Sequence, residues 1–284
     1  MNSLVRATYQ QTGFDIQSSP DRAQRFVAAK EDLFAALGMW RLCWSLAVLD
    51  IKLRYRGSVL GPFWLTLSSG LMIGMMGFLY SALFHQDLHE YFPFIATSII
   101  LWNFLLALIT DACTCYISAE AVIRSMRAPM MLYAIRVVLR NLLILAHNVV
   151  VVVVVDLSLQ SGTGWVGLLA IPVLLLWLVV AVAMVVLLGS LCARFRDIPP
   201  IVASLMQLAF FVSGVIWQPT QLKQYEWLLD FNPVFTLLEL MRAPLLGHVP
   251  TLGVTISALV FSLITVTLAA LLFARVRGRI AFWV

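Results

Sequence analysis

Apolar residues run almost unbroken through six stretches of the chain, at about 62–84, 93–113, 134–155, 165–191, 198–217 and 252–273. Each reaches the roughly 20 residues that a helix needs to cross a hydrocarbon core. Polar residues and charges collect in the gaps. Lipid offers a backbone no water to bond, so each run is predicted to be a helix that satisfies its own N–H and C=O groups. Two other stretches break the simple alternation. Residues 33–49 are apolar enough to suggest a further span, but Arg41 sits at their centre, where an Arg costs roughly 2.5–3.5 kcal/mol on insertion scales. Trp40 and Trp44, one turn apart, suit a helix lying in the headgroup region. We therefore read 33–56 as an interfacial amphipathic helix, with a short extra span as the competing reading. The second exception is the gap 218–250, which is too apolar for a solvated loop. Within it 221–230 and 233–246 both read as short helices; Asn232 is a good cap, Pro233 fits the first helical position, and Pro244 and Gly247 end the second piece. Trp227, Phe231 and Phe235 favour partial burial at the membrane surface.

Composition agrees with that pattern. A chain of 284 residues with 62% hydrophobic residues, 12% charged residues and a mean hydropathy of +0.94 exceeds what a soluble domain shows. The fold class is an all-α integral membrane protein. Charge then orients it. Lys52, Arg54 and Arg56 precede the first run, Arg124 and Arg127 fill the second gap, Arg194 and Arg196 the fourth, and Arg275, Arg277 and Arg279 follow the last. The first and third gaps hold no Lys or Arg. The positive-inside rule places the basic set in the cytoplasm together with both termini, leaving Lys223 and Arg242 as exceptions. Residues 1–32 read as a polar cytoplasmic segment without the apolar core of a secretory signal. The six-span domain then covers 57–275, and 276–284 is a cytoplasmic tail. The net charge of +5 and the pI of 9.2 come mainly from Arg that faces anionic headgroups, and no basic stripe with interleaved aromatics suggests nucleic acid.

Candidate chemistry is sparse. The three lysines, Lys30, Lys52 and Lys223, do not follow a G-x-x-x-x-G turn, so any ATP chemistry falls to a partner. Cys43, Cys113, Cys115 and Cys192 lie in or near the cytoplasmic half, where thiols stay reduced. His85 and His89, four apart beside Asp87 and Glu90, have the spacing of a metal pair, although an outer loop accounts for them more simply. No Ser-His-Asp or paired-carboxylate pattern supports hydrolysis. Asp111 lies at a depth that Arg136 and Arg140 share, which predicts a structural ion pair; a polar floor for substrate entry is the functional alternative. His147 and Asn148, in mid-span, suit interhelical hydrogen bonding.

The stretch Lys52-Leu-Arg-Tyr-Arg-Gly-Ser-Val-Leu-Gly-Pro-Phe-Trp64, entering the first span, resembles the membrane subunit of type-2 ABC exporters that move bacterial O-antigen, capsule or teichoic acid polymers. Arg124-Ser-Met-Arg-Ala-Pro129, Arg194-Phe-Arg-Asp-Ile-Pro199, Asn232-Pro233 and Arg242-Ala-Pro244 follow in the same order, so the likeness covers about residues 33–275. It implies a homodimer of six-span subunits in the inner membrane, two cytoplasmic ATPase subunits that carry ATP and Mg, and a lipid-linked glycan as substrate. This chain itself carries no cofactor. The likeness also implies that the two short helices between spans five and six re-enter the membrane and gate the outer mouth, through Trp227, Phe231, Asn232, Pro233 and Phe235. Coupling to the ATPase is expected through the second gap, at Ser118, Glu120, Val122, Arg124 and Arg127, and through Arg194, Arg196 and Asp197 in the fourth. Ser118 can cap a short helix over 118–126, with Glu120 and Arg124 placed to suit its dipole.

Sugars present C–H faces that pack on aromatic rings and hydroxyls that need polar partners. Trp64, Ser68, Met72, Met75 and Phe78 in span one, and Met206, Phe210, Phe211 and Ser213 in span five, are the candidate conduit lining on that ground. Two other readings compete: export of a small molecule or lipid on the same scaffold, and a membrane scaffold that transports nothing.

Overall fold

The computed structural model describes residues 22–58, 61, 63–125, 128–159 and 164–284, and among these there are helices and no strands. In order they are α1 (Arg22–Gly38), α2 (Trp40–Arg54), α3 (Phe63–Phe84), α4 (Leu88–Thr114), the short α5 (Glu120–Ser125), α6 (Met130–Leu159), a 3-10 turn (Trp165–Leu169) leading into α7 (Ala170–Arg194), α8 (Ile198–Val212), a 3-10 segment (Pro219–Phe231), α9 (Pro233–Leu245) and α10 (Leu252–Trp283). Among the described residues five helices are long and apolar enough to span a bilayer: α3, α4, α6, α7 with its 3-10 turn, and α10.

The amphipathic stretch expected over 33–56 is two helices. α1 starts at Arg22, and α1 and α2 meet at Met39 with a 68° bend, qualifying as a span only if counted together. Polar pairing fixes both. Asp32 of α1 accepts from Arg277 Nε in α10 and from Met131 N in α6, while Asp50 of α2 pairs with Arg136 and Arg140 in α6. The expected tail is also ordered: α10 runs ten residues beyond Phe273 to Trp283. Ile280 and Val284 are buried there and supply the apolar contact that continues the helix.

The fifth apolar run is the one that falls short of its expected length, 198–217. α8 stops at Val212 after 15 residues, about 22 Å at 1.5 Å per residue, short of a hydrocarbon core of about 30 Å. Gly214, at φ +58°, supplies the left-handed residue that turns the chain there. Trp217 then folds back to donate from Nε1 to Phe211 O at 2.9 Å.

α4 is the hub. It packs on α3, α6, α7, α8 and α9, and 72% of its apolar window is buried, against 28% for α3 and α10. Asp87 caps its start, accepting from His89 N at 3.0 Å, with Glu90 in the first turn, which suits the helix dipole. The helix therefore begins before Pro93 rather than at it. Phe104 stacks on Trp177 of α7 at 5.5 Å, and Trp102 meets Phe210 of α8 edge-on at 5.4 Å. Gly189 permits a close approach: a methyl group there would lie 3.1 Å from the Tyr116 ring and 3.2 Å from Ala112 O. Small residues at such crossings are how membrane helices gain van der Waals contact.

Candidate coupling and conduit surfaces

Arg124 of α5 and Arg194 of the fourth gap meet at one end of the bundle, against the far end of α10. α5 starts at Glu120, because Val122 N and Ile123 N both bond to Ala119 O. Ser118 is consequently not its cap; its hydroxyl donates back to Cys115 O at 3.4 Å. Glu120 and Arg124 pair at 2.8 Å along the helix, and Val122 is exposed while Ile123 anchors the inner face. Arg127 lies outside the described residues, as does Met126 at the end of the expected helix. Arg194, Arg196 and Asp197 are exposed; Asp197 stands at the N-cap of α8 but makes no capping bond. Cys115 beneath this surface is buried, and desolvation pushes its thiol up to about 12, so it stays protonated and inert at neutral pH.

Just inside that end lies a charged network. Arg140 Nη2 is 2.7 Å from Asp111 Oδ2. Arg136 goes instead to Asp50 of α2 in a two-pronged contact with Nε at 2.8 Å. Asp50 also takes Arg140 Nη1 at 3.2 Å, Arg54 approaches Asp111 at 3.8 Å, and Asn141 donates to Asp111 at 2.9 Å. Asp50 was not among the sequence-derived candidates. Its signal was an acidic residue in an otherwise basic, apolar segment, where a carboxylate persists only with a partner. Further along α6, His147 bonds to its own helix at Leu143 O, and Asn148 is buried with its Oδ1 unpaired; neither side chain makes the interhelical bond expected of it.

Trp64, Ser68, Met72, Met75 and Phe78 lie on one exposed face of α3, in a groove of about 880 Å3 that also includes Leu71. The three candidates on α8 and Ser213 just after it divide. Phe211 is 60% exposed, Phe210 is half-buried against Trp102, and Met206 and Ser213 are buried within the chain, which removes those two from any lining. α3 and α8 flank the hub helix α4.

At the opposite end Asn232 caps α9, its Oδ1 accepting from Val234 N at 3.0 Å and Phe235 N at 3.2 Å, with Pro233 at the first helical position. The piece before it is 3-10 rather than α, broken at Lys223 where φ is +51°. Trp227 and Phe231 are exposed and meet edge-on at 6.0 Å. Phe235 is instead a core anchor, packed with Leu229, Val180 and Ala258. Arg242, one of the two exceptions to the charge rule, is 1% exposed. It pairs with Glu239, donates to Ser98 Oγ at 2.9 Å and Gly214 O at 2.6 Å, and covers the Phe94 ring at 4.5 Å. Beside it opens a cavity of about 860 Å3, lined in part by Thr97, Asp156, Glu239 and His248.

A multi-pass helical membrane protein with charged connections at one end and a buried, capped short helix at the other is the class these features define. The chain belongs to the ABC-2 type transporter family, whose model matches residues 41–246. It is a membrane transport subunit, and that membership implies a separate ATPase subunit as partner. Among curated proteins it is similar to the O-antigen export system permease protein RfbA of Myxococcus xanthus, 23% identical over 207 residues that cover 72% of this chain and 80% of that one. A permease of the same name from Klebsiella pneumoniae is 22% identical over 193 residues, covering 66% and 74% respectively.

Proposed function

We propose that the chain is the permease half of an ATP-driven exporter that moves a lipid-linked, O-antigen-like polysaccharide across the bacterial inner membrane. The observation that carries this reading is the likeness to two O-antigen export permeases over most of each chain. The exposed Trp, Met, Phe and Ser face of α3 supports it, since that mixture suits sugar rings and hydroxyls.

In this reading two copies form a homodimer with α3 and α8 toward the shared conduit. The basic end, with residues 22–58 and the far end of α10, faces the cytoplasm and two ATPase subunits that bind ATP and Mg. Glu120, Val122 and Arg124 of α5, with Arg194, Arg196 and Asp197, receive the stroke, and Arg127 belongs to the same connection. α3 and α8 then separate across the dimer, and the glycan leaves lipid-linked end first. The 3-10 segment and α9 form the outer gate, with Trp227 and Phe231 at its edge and Asn232, Pro233 and Phe235 as its fixed base. The Asp111 and Arg140 pair, with Arg136 on Asp50, is structural.

The test is the distribution of lipid-linked glycan in cells lacking the protein and in cells restored with the intact gene. Glycan accumulating inside, with surface polymer lost, supports export and identifies the polymer by its composition. Unchanged glycan on both sides overturns it in favour of a small-molecule or lipid exporter, and a preparation that carries no ATPase partner would point to a scaffold.

A further inference from the structure

The far end of α10 touches both connections at the basic end. Arg124 of α5 donates from Nη2 to the main-chain oxygen of Val284 at 2.5 Å. From the other side, the Arg194 guanidinium lies over the Trp283 ring, 5.7 Å from its centroid. Among the described residues no hydrogen bond or ion pair joins α5 directly to residues 194–197. Among the described residues the end of α10 is what contacts both, Arg124 through Val284 and Arg194 through Trp283.

That end is itself firmly held. Ile280 and Val284 are buried in the main core. Arg277 Nε donates to Asp32 at 2.8 Å, and the other oxygen of Asp32 accepts from Met131 N at 2.9 Å, at the start of α6. α5, by contrast, has six residues and is far too short to persist or keep a direction on its own. Its orientation must come from what it is docked on, and Ile123 together with the Arg124 contact to Val284 provides that.

We propose that Trp283 and Val284 are positioning residues for coupling: they tie α5 and the α7–α8 connection into one platform, so that a push on either connection moves both. The inference rests on the ATPase-driven reading above and deepens it by naming a third element of the coupling surface. Neither residue needs to touch the partner. A stacked cation and a single guanidinium hydrogen bond are few enough contacts to release and re-form during a cycle, yet they set the spacing of the two connections at rest.

The experiment measures that spacing. All four native cysteines are buried, so nitroxide labels go to Ser125→Cys and Phe195→Cys in the full-length chain, in lipid nanodiscs, with and without the ATPase subunit. With doubly labelled chains diluted into an excess of unlabelled copies, so that distances within one chain dominate, a single narrow distribution is expected. Trp283→Ala should broaden it and lower the glycan exported per ATP hydrolysed, and Trp283→Tyr should restore both. Arg194→Gln, which removes the cation over an intact ring, should broaden the distribution in the same direction and guards against a folding defect in Trp283→Ala. A distribution that stays narrow in Trp283→Ala and Arg194→Gln overturns the platform. A broadened distribution with an unchanged export-to-ATP ratio overturns the coupling role. The label distance does not depend on what is carried, so failure of the glycan-retention test would remove the export reading and leave the spacing result standing.

Discussion

Asn232 Nδ2 stands 3.1 Å from Ser213 Oγ, so the residue that caps α9 also holds the turn that ends α8. One side chain uses its carbonyl oxygen for the two orphan N–H groups of α9 and its amide for the preceding helix. The end of α8 and the start of α9 are thereby tied together. Asn232→Ala should lose about 1 kcal/mol from the cap alone, with more from the lost tie. Asn232→Asp keeps the acceptor and loses only the donor, so it should fall between the two. Thermal unfolding of the purified chain in detergent ranks the three, and equal midpoints for the Asp variant and the native chain would show that the Ser213 contact contributes nothing.

Arg242 is expected to be the most costly single polar residue to remove. Its guanidinium is buried and engaged by Glu239, Ser98, Gly214 and the Phe94 ring. Breaking such a pair from one side strands a buried charge at a cost of about 3–5 kcal/mol. Arg242→Leu and Glu239→Leu should each unfold well below the native temperature, while the double variant recovers part of the loss because neither charge is left alone. Additive losses in the double-mutant cycle would deny the coupling.

Asp50 carries the attachment of α2 to α6. Hydrogen bonds to charged groups contribute about 1.5–3 kcal/mol, and Asp50 serves two arginines. Asp50→Ala should therefore speed amide exchange across α2 by more than tenfold, with little change in α7. Uniform exchange changes through the whole chain would point to global destabilisation instead.

What the sequence made legible follows from which forces act locally. The apolar runs at α3, α4, α6, α7 and α10 are visible because lipid imposes length and composition on each span separately. The cap at Asn232 and the proline after it are visible because capping involves neighbours in sequence. Arg136 choosing Asp50 over Asp111 is not visible, since it depends on how α2 docks 86 residues away. The burial of Met206, Ser213 and Phe235 is hidden for the same reason: an apolar helix facing lipid and one facing protein have the same composition. The early stop of α8 had a local signal in Ser213 and Gly214, masked by the apolar Val215, Ile216 and Trp217 that follow.

Asp230 gives the outer segment a pH response. Burial raises its carboxyl above the ordinary value, and it lies against Gly253 at the start of α10. A carboxyl whose folded pKa exceeds its unfolded one contributes stability that is fully present below the unfolded pKa and lost as pH rises through the folded pKa. Asp230→Asn should therefore unfold at a higher temperature than the native chain at pH 7, and the gap should shrink as pH falls into the carboxylate range. A gap that widens on acidification would reverse the sign and place a favourable partner on the ionised form.

The exposed faces of α3 and α8 make the sharpest prediction about transport. Met75 and Phe211 are 67% and 60% exposed within one chain, on helices that flank α4 without packing on each other. If two copies close a conduit with these faces, Met75→Cys combined with Phe211→Cys should form an oxidant-dependent dimer on gels and stop glycan export, with recovery on reduction. The buried native cysteines leave the introduced pair as the reactive one. Leu263→Cys is the control: it is equally exposed, at 68%, on α10, where a lipid-facing position should give no dimer. A cross-linked dimer that exports at the reduced rate or faster would remove α3 and α8 from the moving interface, and efficient cross-linking through Leu263→Cys would put the dimer contact on α10.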